Sequence, residues 1–251
     1  MDIRLDGRTA LVTGASSGLG LRFAMLLAEA GARVAVCARR KDRLDSLVDA
    51  IAARGGRAHA VAMDVTDVPS VRAGFAAAEG ALGPIDIVVN NSGVAVTRRA
   101  ADVEEADYDE VMDTNLRGAF FVAQAAGRSM LAAKRPGRII NIASAAGLRP
   151  LAQISVYSMS KAAVIHMTRA LALEWGRHGI NVNAVCPGYI ETEINRDYWR
   201  TDGGQKLMNM LPRKRVGQPE DLDGLVLLLA SDASGFINGA VIAADDGLTA
   251  A

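Results

Sequence analysis

Short β-branched runs alternate with longer alanine- and leucine-rich stretches of helical period along most of the 251 residues, a pattern few folds can accommodate. Strands joined through helices run parallel, and a parallel sheet needs both faces covered. The strand-like runs are 9–13, 33–37, 58–62, 85–90, 138–142, 181–186 and 240–243, mostly near-continuous and apolar, as strands buried on both sides must be. Helical periodicity predicts helices at 18–30, 41–54, 69–80, 108–133, 156–178 and 219–230. The expected class is therefore α/β, a doubly wound, seven-stranded parallel sheet with helices on both faces. No composition shift or repeat marks a boundary, so 1–251 reads as one domain. One stretch breaks the alternation. Residues 190–216, with Gly203-Gly204 inside, are too long and polar for a connector and suggest a lid insertion.

Charge and cysteine usage exclude several roles. The chain carries 28 basic and 28 acidic residues and no net charge, so it has no global field to draw in nucleic acid or an anionic membrane. Residues Met1 to Gly7 hold no apolar core of signal-peptide length, and no later run of roughly 18 residues is free of charge or breaker, which predicts a cytoplasmic protein. Cys37 and Cys186 each end a strand-like run and form no Cys/His cluster, so they read as small buried hydrophobes and no metal is expected.

The first strand runs into Thr13-Gly14-Ala15-Ser16-Ser17-Gly18-Leu19-Gly20, followed at once by a helix. Glycines there let the backbone turn tightly and approach a pyrophosphate, whose charge sits among the unpaired N–H groups of the helix start. In such a turn Gly14, Ser16, Ser17, Gly18, Leu19 and Gly20 are the candidate contacts. The end of the second strand then reports which dinucleotide is held: an acid there accepts ribose hydroxyls, whereas arginine welcomes a 2′-phosphate. The chain reads Val36-Cys37-Ala38-Arg39-Arg40, with no carboxylate in place, and Asp42 suits the first turn of the next helix. Arg39, with Arg40 and Ser16 as helpers, argues for NADP(H) over NAD(H).

Tyr157 and Lys161 are four residues apart on a predicted helix, so their side chains share one face. A tyrosine ordinarily loses its proton near pH ~10 and is a poor acid–base group at neutrality until a neighbouring cation favours the phenolate, which Lys161 could supply.

With Ser144 and Asn115 added, the sequence resembles the short-chain dehydrogenase/reductase family over essentially its whole length. Residues 13–20 resemble the family's T-G-x-x-x-G-x-G turn, Asp64 before Val65 resembles the acid that caps the adenine, and Asn90-Asn91-Ser92-Gly93 resembles its N-N-A-G element. Pro187-Gly188 through Ile190 and Thr192 resembles the segment that closes over the nicotinamide. The resemblance implies a catalytic tetrad of Asn115, Ser144, Tyr157 and Lys161, with Ser144 thirteen positions before the tyrosine. It implies that Tyr157 donates or accepts the proton, Ser144 steadies the substrate oxygen, Lys161 lowers the tyrosine pKa and holds the ribose, and Asn115 orders a relay water. The four-residue Tyr157 to Lys161 spacing differs from the longer one of bacterial enoyl reductases. The expected activity is interconversion of a ketone and a secondary alcohol on a small-molecule substrate, as in 3-oxoacyl-carrier reduction or general carbonyl reduction. An NAD-dependent sugar or polyol dehydrogenase is the alternative, and a catalytically silent nucleotide-binding scaffold is the alternative of another class. The family is commonly tetrameric through its two longest helices and C-terminal segment, which implies a homotetramer packed through 119–133 and 162–173.

Departures from the family pattern are small. Ser92 replaces the usual alanine, and Ala244-Asp245-Asp246-Gly247 stands where the family often reads V-D-G-G, which puts a side chain at a glycine position. Ser17 is not the basic residue many NADP-using members place in the turn. His59, His166 and His178 have no carboxylate or cysteine at ligand spacing and read as packing or surface residues. Arg213-Lys214-Arg215 reads as a solvated hinge or as a contact for an anionic substrate, and Met208, Met210, Tyr198 and Trp199 either line the pocket from the insertion or pack it down.

Overall fold

A computed structural model describes residues 3–193 and 195–250. Its strands are β1 (Thr9–Thr13), β2 (Arg33–Ala38), β3 (Arg57–Ala62), β4 (Ile87–Asn90), β5 (Gly137–Ile142), β6 (Ile180–Pro187) and β7 (Val241–Ala244). They form one sheet in the order β3-β2-β1-β4-β5-β6-β7, with every neighbouring pair parallel. Strand order reverses direction between β1 and β4, the place where an open α/β sheet leaves a crevice at its carboxyl edge.

The helices are α1 (Gly18–Glu29), α2 (Lys41–Ala52), α3 (Val68–Leu82), α4 (Glu105–Met112), α5 (Ala119–Ala132), α6 (Ser155–Trp175), α7 (Asp202–Met210) and α8 (Asp223–Ala230). The two-residue period of the strands sorts the core into two layers. Ala10, Val12, Val34, Val36, Ile87, Val89 and Ile140 face one side, packed with Phe23 and Leu27 of α1, Leu44 of α2 and Leu229 of α8. Leu11, Ala35, Cys37, Val88 and Ile139 face the other, packed with Phe75 of α3, Val122 and Ala126 of α5 and Leu171 of α6.

Two elements differ from the sequence expectation. The single helix predicted at 108–133 starts at Glu105 and is broken by six π-helical residues, Asp113–Gly118, between α4 and α5. Residues 190–216 contain helix α7, which the two glycines concealed. Thr201 caps it, its Oγ1 accepting from Gly204 N–H at 3.2 Å.

Candidate active site

At the end of β1 the chain turns on Gly14 and Gly18, both in the left-handed region at φ +65° and +54°. Gly20 packs straight onto the turn: a Cβ there would fall 2.2 Å from the Gly14 carbonyl oxygen. Asn91 braces it from just past β4, its backbone N–H donating to Thr13 Oγ1 (3.0 Å) and its Nδ2 to the Thr13 carbonyl (3.1 Å), while Ser92 N–H donates to the same hydroxyl (3.1 Å). Asn91 and Ser92 thus shape the turn. Ser17 takes the extended N-cap conformation without spending its side chain on the helix, and the first turn of α1 holds no acid. Bare backbone N–H groups at the positive end of a twelve-residue helix, with no carboxylate to compete, fit a pyrophosphate. Leu19 instead packs partly into the core behind the turn.

The neighbouring groups fit the rest of a dinucleotide. Arg40 Nη2 donates to Ser16 Oγ at 3.0 Å, while Arg39 makes no hydrogen bond or ion pair with the described residues. Asp42 lies in the first turn of α2, so no acid stands at the tip of β2. Burial raises the Asp64 carboxyl, but donors from Thr66 backbone and hydroxyl (3.0 and 2.8 Å) and the Arg39 charge outweigh it and hold the group below its usual range. Val65 packs against Gly118 of the π-helical turn. Past β6, Gly188 N–H donates to the Ala244 carbonyl (3.1 Å), Ile190 forms a parallel bridge with Gly217, and the Thr192 methyl lies 3.5 Å from where a Gly18 Cβ would be. The segment after Pro187 therefore crosses above the glycine turn.

The four residues singled out by sequence converge at the same carboxyl edge. Ser144 Oγ accepts from Ala146 N–H at 3.1 Å and so caps its own turn, and its hydroxyl is close enough to the Tyr157 phenol to pull that phenol's pKa down. Lys161 is 4 % exposed, with Nζ 5.6 Å from the Tyr157 ring centroid and donating to the Ile142 carbonyl at 2.8 Å. Burial takes Lys161 from its ordinary 10.5 to about 8. Burial pushes the Tyr157 pKa up, and the Ser144 hydroxyl pulls the other way. The ammonium lies over the ring and bonds a backbone carbonyl.

Asn115 spends its side chain on bracing the site. Its Oδ1 accepts from Val94 N–H (2.8 Å), and its Nδ2 donates to the Val94 carbonyl (2.8 Å) and Ser160 Oγ (3.0 Å), which commits both amide hydrogens and one lone pair of the oxygen. It occupies the middle of the π-helical turn, where the shifted hydrogen-bond ladder redirects backbone carbonyls. Beside it, a Cβ on Gly93 would sit 3.3 Å from Asn115 Oδ1 and 3.4 Å from Lys161 Nζ, so the Gly93 backbone borders both groups.

Sequence reasoning missed Ser160, Ile142 and Val94, which brace the site through one hydroxyl and two backbone segments and leave no residue-type signature. Cys186 is fully buried, as expected, yet it is also part of the site's wall: burial is the main cause raising its thiol to about 11, against a Ser144 backbone hydrogen bond and the Lys161 charge. Trp199 is buried against the rings of Tyr189 and Tyr198 (5.4 and 5.2 Å), so it packs the 190–216 segment down, whereas Met210 is 74 % exposed and does neither of the jobs expected of it. Among the described residues no group of His, Cys, Asp and Glu could hold a metal ion, and no helix is long and apolar enough to cross a membrane.

Comparison with known proteins gives the same picture from a different direction. A family model described as enoyl-(acyl carrier protein) reductase matches residues 14–249. Gluconate 5-dehydrogenase of Gluconobacter oxydans (strain 621H) is 41 % identical over 252 residues, covering 98 % of this chain and 96 % of the relative. The crystal structure of a short-chain type dehydrogenase/reductase from Mycobacterium marinum superposes with a TM-score of 0.94 at 42 % identity, covering 99 % of this chain and 98 % of the other. That of a gluconate 5-dehydrogenase from Burkholderia cenocepacia J2315, in complex with NADP and tartrate, superposes with a TM-score of 0.95 at 38 % identity, covering 100 % and 98 %.

Proposed function

The chain belongs to the short-chain dehydrogenase/reductase family and is an NAD(P)-dependent oxidoreductase acting on CH–OH groups, and from that premise we propose that its substrate is a sugar acid or polyol. The sequence alone ranked carrier-bound or simple ketones first. The two gluconate 5-dehydrogenases, each aligned over nearly the full chain, favour the polyhydroxylated class instead.

The observation that carries the catalytic reading is the meeting of Ser144, Tyr157 and Lys161 at the carboxyl edge of the sheet, with Lys161 Nζ 5.6 Å from the Tyr157 ring centroid, beside a turn of bare backbone donors. The nicotinamide, when bound, exchanges hydride with the carbinol carbon. The chain's residues handle the oxygen and its proton. Tyr157, protonated at neutral pH and held there more firmly by burial, gives its proton to the oxygen of a ketone during reduction; in oxidation the phenolate takes the proton of the substrate hydroxyl. Ser144 steadies that oxygen as charge grows on it. Lys161, with a pKa of about 8, is mostly an ammonium at pH 7 and holds the ribose hydroxyls. The Asn115 backbone carbonyl holds the relay water, since the side chain is committed to Val94 and Ser160. The glycine turn and α1 N-terminus receive the pyrophosphate and Asp64 the adenine. Arg39, with Arg40 held by Ser16, receives a 2′-phosphate, which favours NADP(H) over NAD(H).

Initial rates followed at the reduced-nicotinamide absorbance band test this reading, with both cofactors and a panel of aldonates, polyols, simple ketones and acetoacetyl thioesters. Turnover should be highest with an aldonate, polyol or the matching keto compound. Preference for the thioester, or no turnover with any of the panel, overturns the substrate class.

A further inference from the structure

The C-terminal segment departs from the expected pattern at Asp246, and we propose that this aspartate is a positioning residue that ties the far stem of the 190–216 segment and thereby sets how well the substrate site is closed. Two arginines leave that stem side by side. Arg213 Nη1 meets Asp246 Oδ1 at 3.0 Å and Arg215 Nε meets Oδ2 at 3.0 Å, so one carboxylate uses both oxygens on the stem. Arg215 reaches onward from Nη1 to Asp221 Oδ2 at 2.9 Å, and Asp221 is itself fixed by Gln218 N–H at 2.8 Å. The Asp246 side chain is 24 % exposed, while its partners Arg213 and Arg215 lie open to solvent.

The backbone supports the same conclusion. Asp246 sits at φ +57°, a conformation that favours glycine, so the chain holds a strained residue where an unstrained one would do. What the aspartate adds over glycine is its grip on Arg213 and Arg215. The segment it anchors is also held to the rest of the site. A Cβ on Gly188 would fall 2.8 Å from Asp245 Cα, and Asp245 is locked by donors from Gly247 N–H (3.1 Å), Thr249 N–H (3.0 Å) and Thr249 Oγ1 (2.6 Å). Arg149, on the chain that follows Ser144, donates to the Leu248 carbonyl at 3.1 Å. Residues 245–249 are thus a strap joining the turn after β6, the loop after β5 and the stem of the insertion. Between strap and stem lies a cavity of about 300 Å³, walled by Tyr189, Leu211, Pro212 and Leu248, and Arg213, Arg215 and Asp246 also line it, so the ion pairs join stem to strap across it.

The inference rests on the reading that 190–216 covers the substrate, and its test has one arm that does not. Asp246→Asn keeps a residue tolerant of the left-handed region but removes the charge, and Asp246→Gly removes both charge and strain. Both variants should raise KM for the alcohol about fivefold with kcat within about twofold, the loss expected from releasing a small ion-pair network. Amide hydrogen exchange in 198–211 should quicken in both by a similar factor, while the melting temperature of Asp246→Gly stays level or rises. A purely structural role predicts the reverse for Asp246→Gly: a lowered melting temperature with unchanged KM and exchange. Unchanged exchange in 198–211 overturns the tie whatever the kinetics, and faster exchange with unchanged KM overturns its link to substrate closure. An enzyme inactive on every substrate leaves the exchange arm readable and faults the proposed function instead.

Discussion

Lys161→Met should make the protein more stable while stopping turnover. Lys161 is 4 % exposed, has no carboxylate partner among the described residues and gives one hydrogen bond to the Ile142 carbonyl. Its pKa falls from 10.5 to about 8 because burial disfavours the ammonium, and a gap of that size corresponds to a penalty of about 3 kcal/mol at pH 7. Methionine fills a similar shape without charge, but leaves the Ile142 carbonyl short of a donor at a cost of about 1 kcal/mol. The balance is about 2 kcal/mol in favour of methionine, or a rise of about 4–8 °C in melting temperature for a chain of this length. The pH dependence fixes the cause. A lysine whose folded pKa is depressed penalises the native state fully below about pH 8; the penalty then shrinks as pH rises and is gone by 10.5, where the unfolded chain is also losing its proton. The advantage of Lys161→Met should therefore be flat from pH 6 to about 8 and fade between 8 and 10.5. Calorimetric melts of both proteins at equal concentration across that range supply the measurement. No rise at pH 7, or an advantage undiminished at pH 10.5, would show that burial of the charge is not what this site costs.

Three further outcomes follow from the same geometry. Tyr157→Phe should lower kcat by about 10²–10⁴-fold with NADPH affinity, read by fluorescence titration, within about twofold of wild type; a loss under tenfold removes the tyrosine from proton transfer. Arg39→Asp should weaken NADPH by about 100-fold and NADH by only a few-fold, because a charge-assisted contact to phosphate becomes a repulsion, and equal weakening of both would place the 2′-phosphate elsewhere. Leu173 on α6 is 86 % exposed, an unusual place for a large apolar side chain, and the homotetramer implied by resemblance would cover it. Light scattering should give about four chain masses for the wild type and a smaller species for Leu173→Glu, whereas a monomeric wild type rules out that assembly.

How much of the molecule was legible in the sequence depended on whether an element carried its own signal. All seven strands could be read because most are β-branched, apolar runs buried on both faces, which need no knowledge of register to recognise. Helix α7 could not, because Gly203 and Gly204 are poor helix formers; it is held by the Thr201 cap and the packing of Trp199, which are tertiary facts. The π-helical turn at Asp113–Gly118 was likewise hidden, since one extra residue per turn leaves the hydrophobic pattern of a long helix almost unchanged. The turn matters because it brings the Asn115 side chain to Val94 and Ser160.

Tyr157 and Lys161 mark the limit more sharply. Their spacing says that two side chains share a helix face, and it says nothing about the dielectric around them. An ammonium about 6 Å away in water-like surroundings is a weak perturbation, and in a dry pocket it is a strong one but is itself disfavoured. Here the second effect wins: the lysine drops to about 8, the tyrosine rises, and the side chain that opposes the rise is Ser144. A phenol held protonated by its surroundings is ready to give its proton to a ketone at neutral pH, while the oxidative direction needs that proton removed first. Oxidation by this enzyme should therefore gain with rising pH as the phenolate becomes accessible, and reduction should not.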